Sequence, residues 1–265
     1  MLVSGVGNFE IVMKRVMLTF LLAALIVGAV IASQSFSLAD DWRTARRDSA
    51  GIAPDPKQVK EAVVQVYGAR AYNWRGFFGV HTWIATKPEN AAAFQIYEVT
   101  GWRVRHGHPS VSISNRPADG YWFGSKPEII SDLRGEGVDE IIRRIDQAAR
   151  SYPYMDSYQV WPGPNSNTFT AYVGRAVPEL KLDLPPTAIG KDYIPGGRFV
   201  SETPSGSGYQ LSLFGLAGLL VGKEEGLEIN LLGLTFGVDP IDPAVKLPFA
   251  GRIGPPADIL SLPKS

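Results

Sequence analysis

Residues 77–86 read FFGVHTWIAT, a run of aromatic and β-branched side chains without proline, and this composition predicts a strand. Side chains alternate across a strand, so Phe77, Gly79, His81 and Trp83 share one face while Phe78, Val80 and Ile84 share the other. Both faces are apolar, which places the strand at the centre of a sheet covered on both sides. Outward from it, AVVQVYGAR (62–70) and FQIYEVTGW (94–102) read as neighbouring strands. Val111 to Ser114, followed by Asp119-Gly120 and Tyr121-Trp122-Phe123, predicts a short hairpin, because Asp-Gly tolerates the positive φ that such turns need.

Val138, Ile141, Ile142, Ile145, Ala148 and Ala149 recur at helical spacing, opposite Asp139, Glu140, Arg143 and Arg144, and predict an amphipathic helix. A second helix is expected over 167–177, with Phe169, Tyr172, Val173, Ala176 and Val177 as its stripe and Pro178 as its stop. Residues 182–204 are rich in Pro and Gly without a period, a long loop of the kind that carries lids or binding segments. Two apolar runs, 209–221 and 227–238, flank Lys223-Glu224-Glu225-Gly226 and read as a β-hairpin, with a lipid-touching interfacial segment as the rival. The fold class is therefore α+β: an antiparallel sheet packed with two main helices, in one domain over 60–265.

Residues 16–32, VMLTFLLAALIVGAVIA, are uncharged and follow Lys14 and Arg15, the layout of an export signal, and Met13 competes with Met1 as the start. The run reaches the roughly 17–25 residues that span a bilayer, so an uncleaved membrane helix in the cytoplasmic (inner) membrane is expected, single-pass with the C-terminal domain outside. Cleavage after Ala39, behind Ser37-Leu38-Ala39, is the alternative and would leave a secreted or periplasmic protein. Residues 1–39 thus form the signal peptide or anchor, and 40–59 a linker or extended lead-in. Acidic and basic residues balance at 26 each, without the basic surplus that nucleic-acid binding demands. Cysteine is absent, which removes thiolate catalysis, disulfides and Cys-ligated metals. No cofactor is expected, and the oligomeric state is left open.

With three histidines in the chain, an imidazole base comes from His81, His106 or His108. His81 lies mid-strand among aromatics. Trp161-Pro162-Gly163-Pro164-Asn165-Ser166 is a constrained loop that delivers Ser166 to a helix N-terminus, where free N–H groups stabilise an oxyanion. A serine needs an adjacent base, so Ser166 as nucleophile requires His81, and Glu98 on the next strand is the candidate to orient the imidazole. The bland readings stand beside these: a satisfied core histidine, a helix N-cap and a solvated strand carboxylate. Asn165 and Asn167 flank the serine, Trp83 shares His81's strand face, Trp161 opens the loop and Lys191 lies on the long loop; these are the candidate binding residues. His106-Gly107-His108 has chelating spacing but no third ligand, so no metal is expected.

The segments DWRTARRDSAG, VHTWIA, DGYWFG, WPGPNSNTF, LPPTAIGKDY and GLEINLLGLTFGVDP resemble a bacterial family defined only as a domain of unknown function. That resemblance implies an exported or membrane-anchored protein. More remotely, a strand histidine followed by Asn165-Ser166-Asn167-Thr168-Phe169 resembles the permuted NlpC-like branch of the papain superfamily, which includes the lecithin:retinol acyltransferase group. There an Asn-Cys pair precedes a Phe; Asn165, Ser166 and Phe169 match, with Ser in place of Cys. This resemblance implies a permuted papain-like arrangement, His81 as base and Glu98 as its partner. Three functions follow: an envelope hydrolase or acyltransferase on a peptide, amide or lipid ester; a non-catalytic binding protein of the same fold; and a membrane-associated structural protein.

Overall fold

The computed structural model describes residues 13–15, 18–19 and 41–255. The chain divides into two compact units, 1–36 and 37–265, and the second carries both sheets and both long helices. The expected membrane helix and the cleavage site at Ala39 fall almost wholly outside the described residues. No helix among the described residues is long and apolar enough to cross a membrane.

The unit is α+β, with two antiparallel sheets. The first has the order β4-β3-β2-β1-β5, made of β1 (Val63–Arg70), β2 (Val80–Lys87), β3 (Gln95–Val99), β4 (Val111–Ser114) and β5 (Glu128–Arg134). β2 is interior, as its composition predicts, and nearly every side chain of β1 and β2 is buried. Phe77 and Phe78 do not extend it; they belong to a tight 3-10 turn at Asn73–Phe77 and just after. A short helix, α1 (Gly101–Arg105), follows β3 and takes Trp102 out of the strand expected over 94–102.

Register assigns the two faces. Val66 pairs with Ile84 and Ile84 with Tyr97, so these three share a face. It packs on α2 (Val138–Arg150) and α3 (Ser166–Ala176) through Ile141, Ile145, Phe169 and Val173. The six apolar positions read at helical spacing in α2 are all buried, and Asp139 and Glu140 in its first turn with Arg150 in its last suit the helix dipole. The opposite face carries Tyr67, Trp83, Ala85 and Ile96. It is covered by the stretch read as a linker or lead-in, whose Ile52, Ala53 and Val59 pack into that cluster.

Asp119 is what holds the lead-in down. Its carboxylate accepts hydrogen bonds from Ser49 Oγ at 3.0 Å and from the backbone N–H groups of Ile52 and Ala53 at 2.7 and 3.0 Å. These bonds hold the carboxyl below the usual range against the opposing effect of burial. Asp119-Gly120 is therefore not the hairpin turn expected from its sequence: Gly120 bridges to Ser49 instead of closing a ladder with β4.

The second sheet corrects the expected hairpin. Seven strands, β6 (Val200–Glu202), β7 (Gly208–Leu213), β8 (Ala217–Gly222), β9 (Gly226–Leu231), β10 (Leu234–Asp239), β11 (Ala244–Leu247) and β12 (Gly251–Ile253), follow one another as an antiparallel meander. Its amphipathicity is inverted. In β9 Glu228 and Asn230 are buried while Leu227, Ile229 and Leu231 are exposed. The register carries this across the sheet: Leu211, Leu219, Ile229 and Phe236 form one cross-strand row, and Tyr209, Val221, Leu227, Val238 and Val245 another. Inward, Lys191 pairs with Glu228 and Asp192, and Lys246 bonds Asp183 and Glu228, so loop 182–193 supplies the charges that the polar face requires.

Candidate functional site

His81 and Glu98, on adjacent strands and the same face, are brought together. Nε2 of His81 lies 3.2 Å from Glu98 Oε2, and both side chains are almost fully buried. Arg116 completes the group: its Nε and Nη2 donate to the two oxygens of Glu98, each at 3.2 Å. Burial opposes ionisation of Glu98, but the bond from His81 and the charge of Arg116 outweigh it and hold the carboxyl at about 2. Burial pushes the His81 imidazole below its ordinary value, against the upward pull of Glu98. A neutral imidazole donating from Nε2 to an ionised carboxylate satisfies both shifts.

Aromatic rings close around this group. Trp122 stacks on His81 with ring centroids 3.6 Å apart and planes 9° apart, and Trp83 lies at 5.9 Å from the same imidazole. Trp102 stacks on Trp122 at 5.9 Å, and the Arg116 guanidinium lies 4.7 Å from the Trp83 ring. Above them opens a groove of about 140 Å³, lined by Arg47, Glu98, Trp102, Arg116, Trp122 and neighbouring Tyr121 and Phe123. Two guanidinium groups face one carboxylate, so the lining carries a net positive charge.

Ser166 is not part of this group. It occupies the first position of α3, and it is the carbonyl, not the hydroxyl, that bonds, to Thr170 Oγ1 at 3.1 Å and Thr82 Oγ1 at 3.5 Å. Thr82 follows His81 on β2, so its side chain leaves the strand on the opposite face. The expected Ser166–His81 pair is thus divided by the sheet, and no hydrogen bond joins the two. Thr82 Oγ1 also bonds Asn167 Oδ1 at 3.0 Å and Thr170 Oγ1 at 2.8 Å. Thr82→Val removes this anchor at nearly constant volume and is expected to lower stability by about 1–3 kcal/mol, measured by urea unfolding, because the buried amide oxygen loses its donor.

Asn165 and Asn167 serve the helix start. Asn165 Oδ1 accepts from the N–H groups of Asn167 and Thr168 in a capping box, and its Nδ2 donates to the carbonyls of Val160 and Ile189. Asn167 Nδ2 donates to Val80 and Ile189 carbonyls. Gly190, at φ +96°, admits this: a Cβ there would strike the Asn165 amide. Trp83 is fully buried and does not line the groove; its Nε1 donates to Ala118 O at 2.8 Å. Trp161 is exposed and donates to Leu232 O at the second sheet, and Lys191 is consumed by its ion pairs there. His106 is exposed, with Nδ1 on Trp102 O.

Arg116 is the residue that sequence reasoning missed. It lies in a loop between β4 and β5 with no periodic or motif signal, and the clue available was indirect: a glutamate inside an apolar strand requires a counter-charge. Tyr121-Trp122-Phe123 did carry a signal, as an aromatic triplet beside a turn dipeptide.

No curated protein and no solved structure matches the chain. One family model does match, over residues 61–193, and it takes in β1 to β5, both long helices and the His81–Glu98–Arg116 group. The chain belongs to that family, described as protein of unknown function (DUF3750).

Proposed function

We propose that the chain is a non-catalytic binding protein of the cell envelope, whose groove takes one flat side chain or ring with an anionic end, as part of a peptide or similar ligand. The observation that carries this reading is the closed His81–Glu98–Arg116 group under Trp122: every charge in it is spoken for, and no hydroxyl is hydrogen-bonded to the imidazole. Groove size limits the ligand. Sites for whole small molecules measure roughly 300–1,000 Å³, and about 140 Å³ fits a single group. Stacking on Trp102 and Trp122 favours a planar body, and Arg47, the lining guanidinium that Glu98 does not engage, favours a carboxylate. The envelope location rests on the apolar run 16–32 behind Lys14 and Arg15.

Titration of tryptophan fluorescence with an N-acetylated aromatic amino acid tests the reading. Binding near roughly 1 mM, or about −4 kcal/mol, is expected for so small a contact. The corresponding amide, lacking the carboxylate, should bind more weakly, and Trp122→Ala or Arg47→Ala should abolish binding. The rival permuted papain-like hydrolase or acyltransferase requires Ser166 to react with a serine-directed fluorophosphonate. Labelling of the native chain that disappears in Ser166→Ala would overturn the binding reading; no labelling is expected.

A further inference from the structure

The second sheet turns its apolar side outward, and the apolar surface does not end with the strands. Alternate turns of the meander differ in kind. At one end the tips are Phe214, Leu232 and Phe249, each with positive φ and each next to a chain reversal. At the other end they carry Lys223, Glu224 and Asp242, with exposed Ile241 as an apolar residue among them. The apolar end continues into aromatics that belong to other elements. Phe249 meets Phe78 at 5.4 Å, Phe78 meets Trp74 at 6.1 Å, and Phe214 meets Phe199 at 5.4 Å. Trp74, Phe78, Trp161, Phe199 and Phe214 are all exposed, and exposed Arg75 and Arg198 stand beside Trp74 and Phe199.

We propose that the exposed face of β7–β10 and this aromatic rim form a membrane-docking surface that rests in the headgroup and upper acyl region of an anionic bilayer. Four six-residue strands at about 4.8 Å spacing and about 20 Å long give a flat footprint of roughly 400 Å², within the about 300–600 Å² of the largest patch on a soluble monomer, and the aromatic rim adds to it. A second copy of the chain is the obvious competitor. The flat face alone falls short of the ~800 Å² per partner that a standard interface buries, and fluid lipid adapts to aromatic side chains drawn from several elements. Trp and Phe beside Arg are the side chains that suit the boundary between acyl chains and phosphates.

The absence of native cysteine gives a clean test. Ile229→Cys and Leu219→Cys, each labelled with bimane, report from the exposed face without disturbing the core, and Lys223→Cys reports from the charged turns. The full chain is reconstituted into phosphatidylcholine vesicles containing phosphatidylglycerol. Quenching by nitroxide-bearing lipid should be severalfold stronger at positions 229 and 219 than at 223, and quenching by aqueous iodide severalfold weaker. Probes at 229 and 219 that are shielded from both quenchers would overturn the proposal in favour of a protein occupant, either a second copy or the chain's own 16–32 segment. Probes open to iodide would overturn it in favour of a bare face. Neither outcome bears on the groove, which lies on the first sheet.

Discussion

Lys246→Met is expected to destabilise the domain by about 3–5 kcal/mol, the range for removing one partner of a buried ion pair, read as a fall in the urea midpoint at unchanged slope. The Lys246 side chain is wholly buried. Its Nζ donates to Asp183 Oδ1 and Oδ2 at 2.6 and 2.8 Å, to Glu228 Oε1 at 3.0 Å and to Glu225 O at 2.8 Å. Burial alone would lower the ammonium pKa, but Asp183 and Glu228 outweigh it and raise it, so the charge is kept. Methionine fills the same stem but leaves Glu228 with Lys191 as its remaining cation and strips Asp183 of its partner. Because the second sheet turns its polar face inward, that loss falls on the contact between meander and loop 182–193. The double variant Lys246→Met/Asp183→Asn should recover part of the loss, since it no longer strands a carboxylate. A midpoint change equivalent to less than about 1 kcal/mol, the value of an exposed pair, would show that water reaches this network.

The meander also marks where sequence reading stopped. Alternation in GLEINL is legible as a strand, and it divides Leu227, Ile229 and Leu231 from Glu228 and Asn230 without ambiguity. It does not say which side is inside. That choice was made by Lys191, Asp192 and Asp183, residues of a loop with no period, which offer the polar side a fully bonded partner. The usual apolar-inward rule fails wherever such a partner exists. In the first sheet the rule held, because β2 is apolar on both faces and its central place followed from composition. The same strand shows the limit for the site. His81 and Glu98 were legible as candidates on neighbouring apolar strands, but that they face each other was set by a register the sequence did not disclose. Ser166 could not be assigned a face, since that depended on how α3 lies on the sheet, and Thr82, one residue from His81, proved to be its contact. The N-cap alternative for this loop was legible in the sequence, and the helix start uses it: Asn165 caps, and Thr168 completes a capping box that only the structure shows.

Glu98→Gln should change the shape of the stability–pH curve as well as its height. The Glu98 carboxyl has a folded value of about 2 against an ordinary 4.5. It therefore contributes stability that is complete above pH 4.5 and lost as the pH falls towards 2, worth about 3 kcal/mol at neutral pH by linkage. His81 acts in a different window. Its folded value lies below the ordinary 6.5, so the unfolded chain binds a proton that the buried imidazole refuses, and stability declines as the pH drops below 6.5. Glutamine removes the first contribution, and its curve should be flatter than the native one between pH 4.5 and 2. It also withdraws the negative charge that pulls His81 upward, so the decline that begins at pH 6.5 should become steeper. His81→Gln, which keeps an N–H donor for Glu98, should instead flatten the upper window and leave the lower one. Unfolding free energies across pH for the three proteins provide the comparison, and parallel curves would refute the assignment of a neutral His81 donating to an ionised Glu98. Trp122, stacked on the imidazole, supplies a local signal: its fluorescence should change when His81 takes up its proton, at a lower pH than a free histidine would, and no such change should occur in His81→Gln.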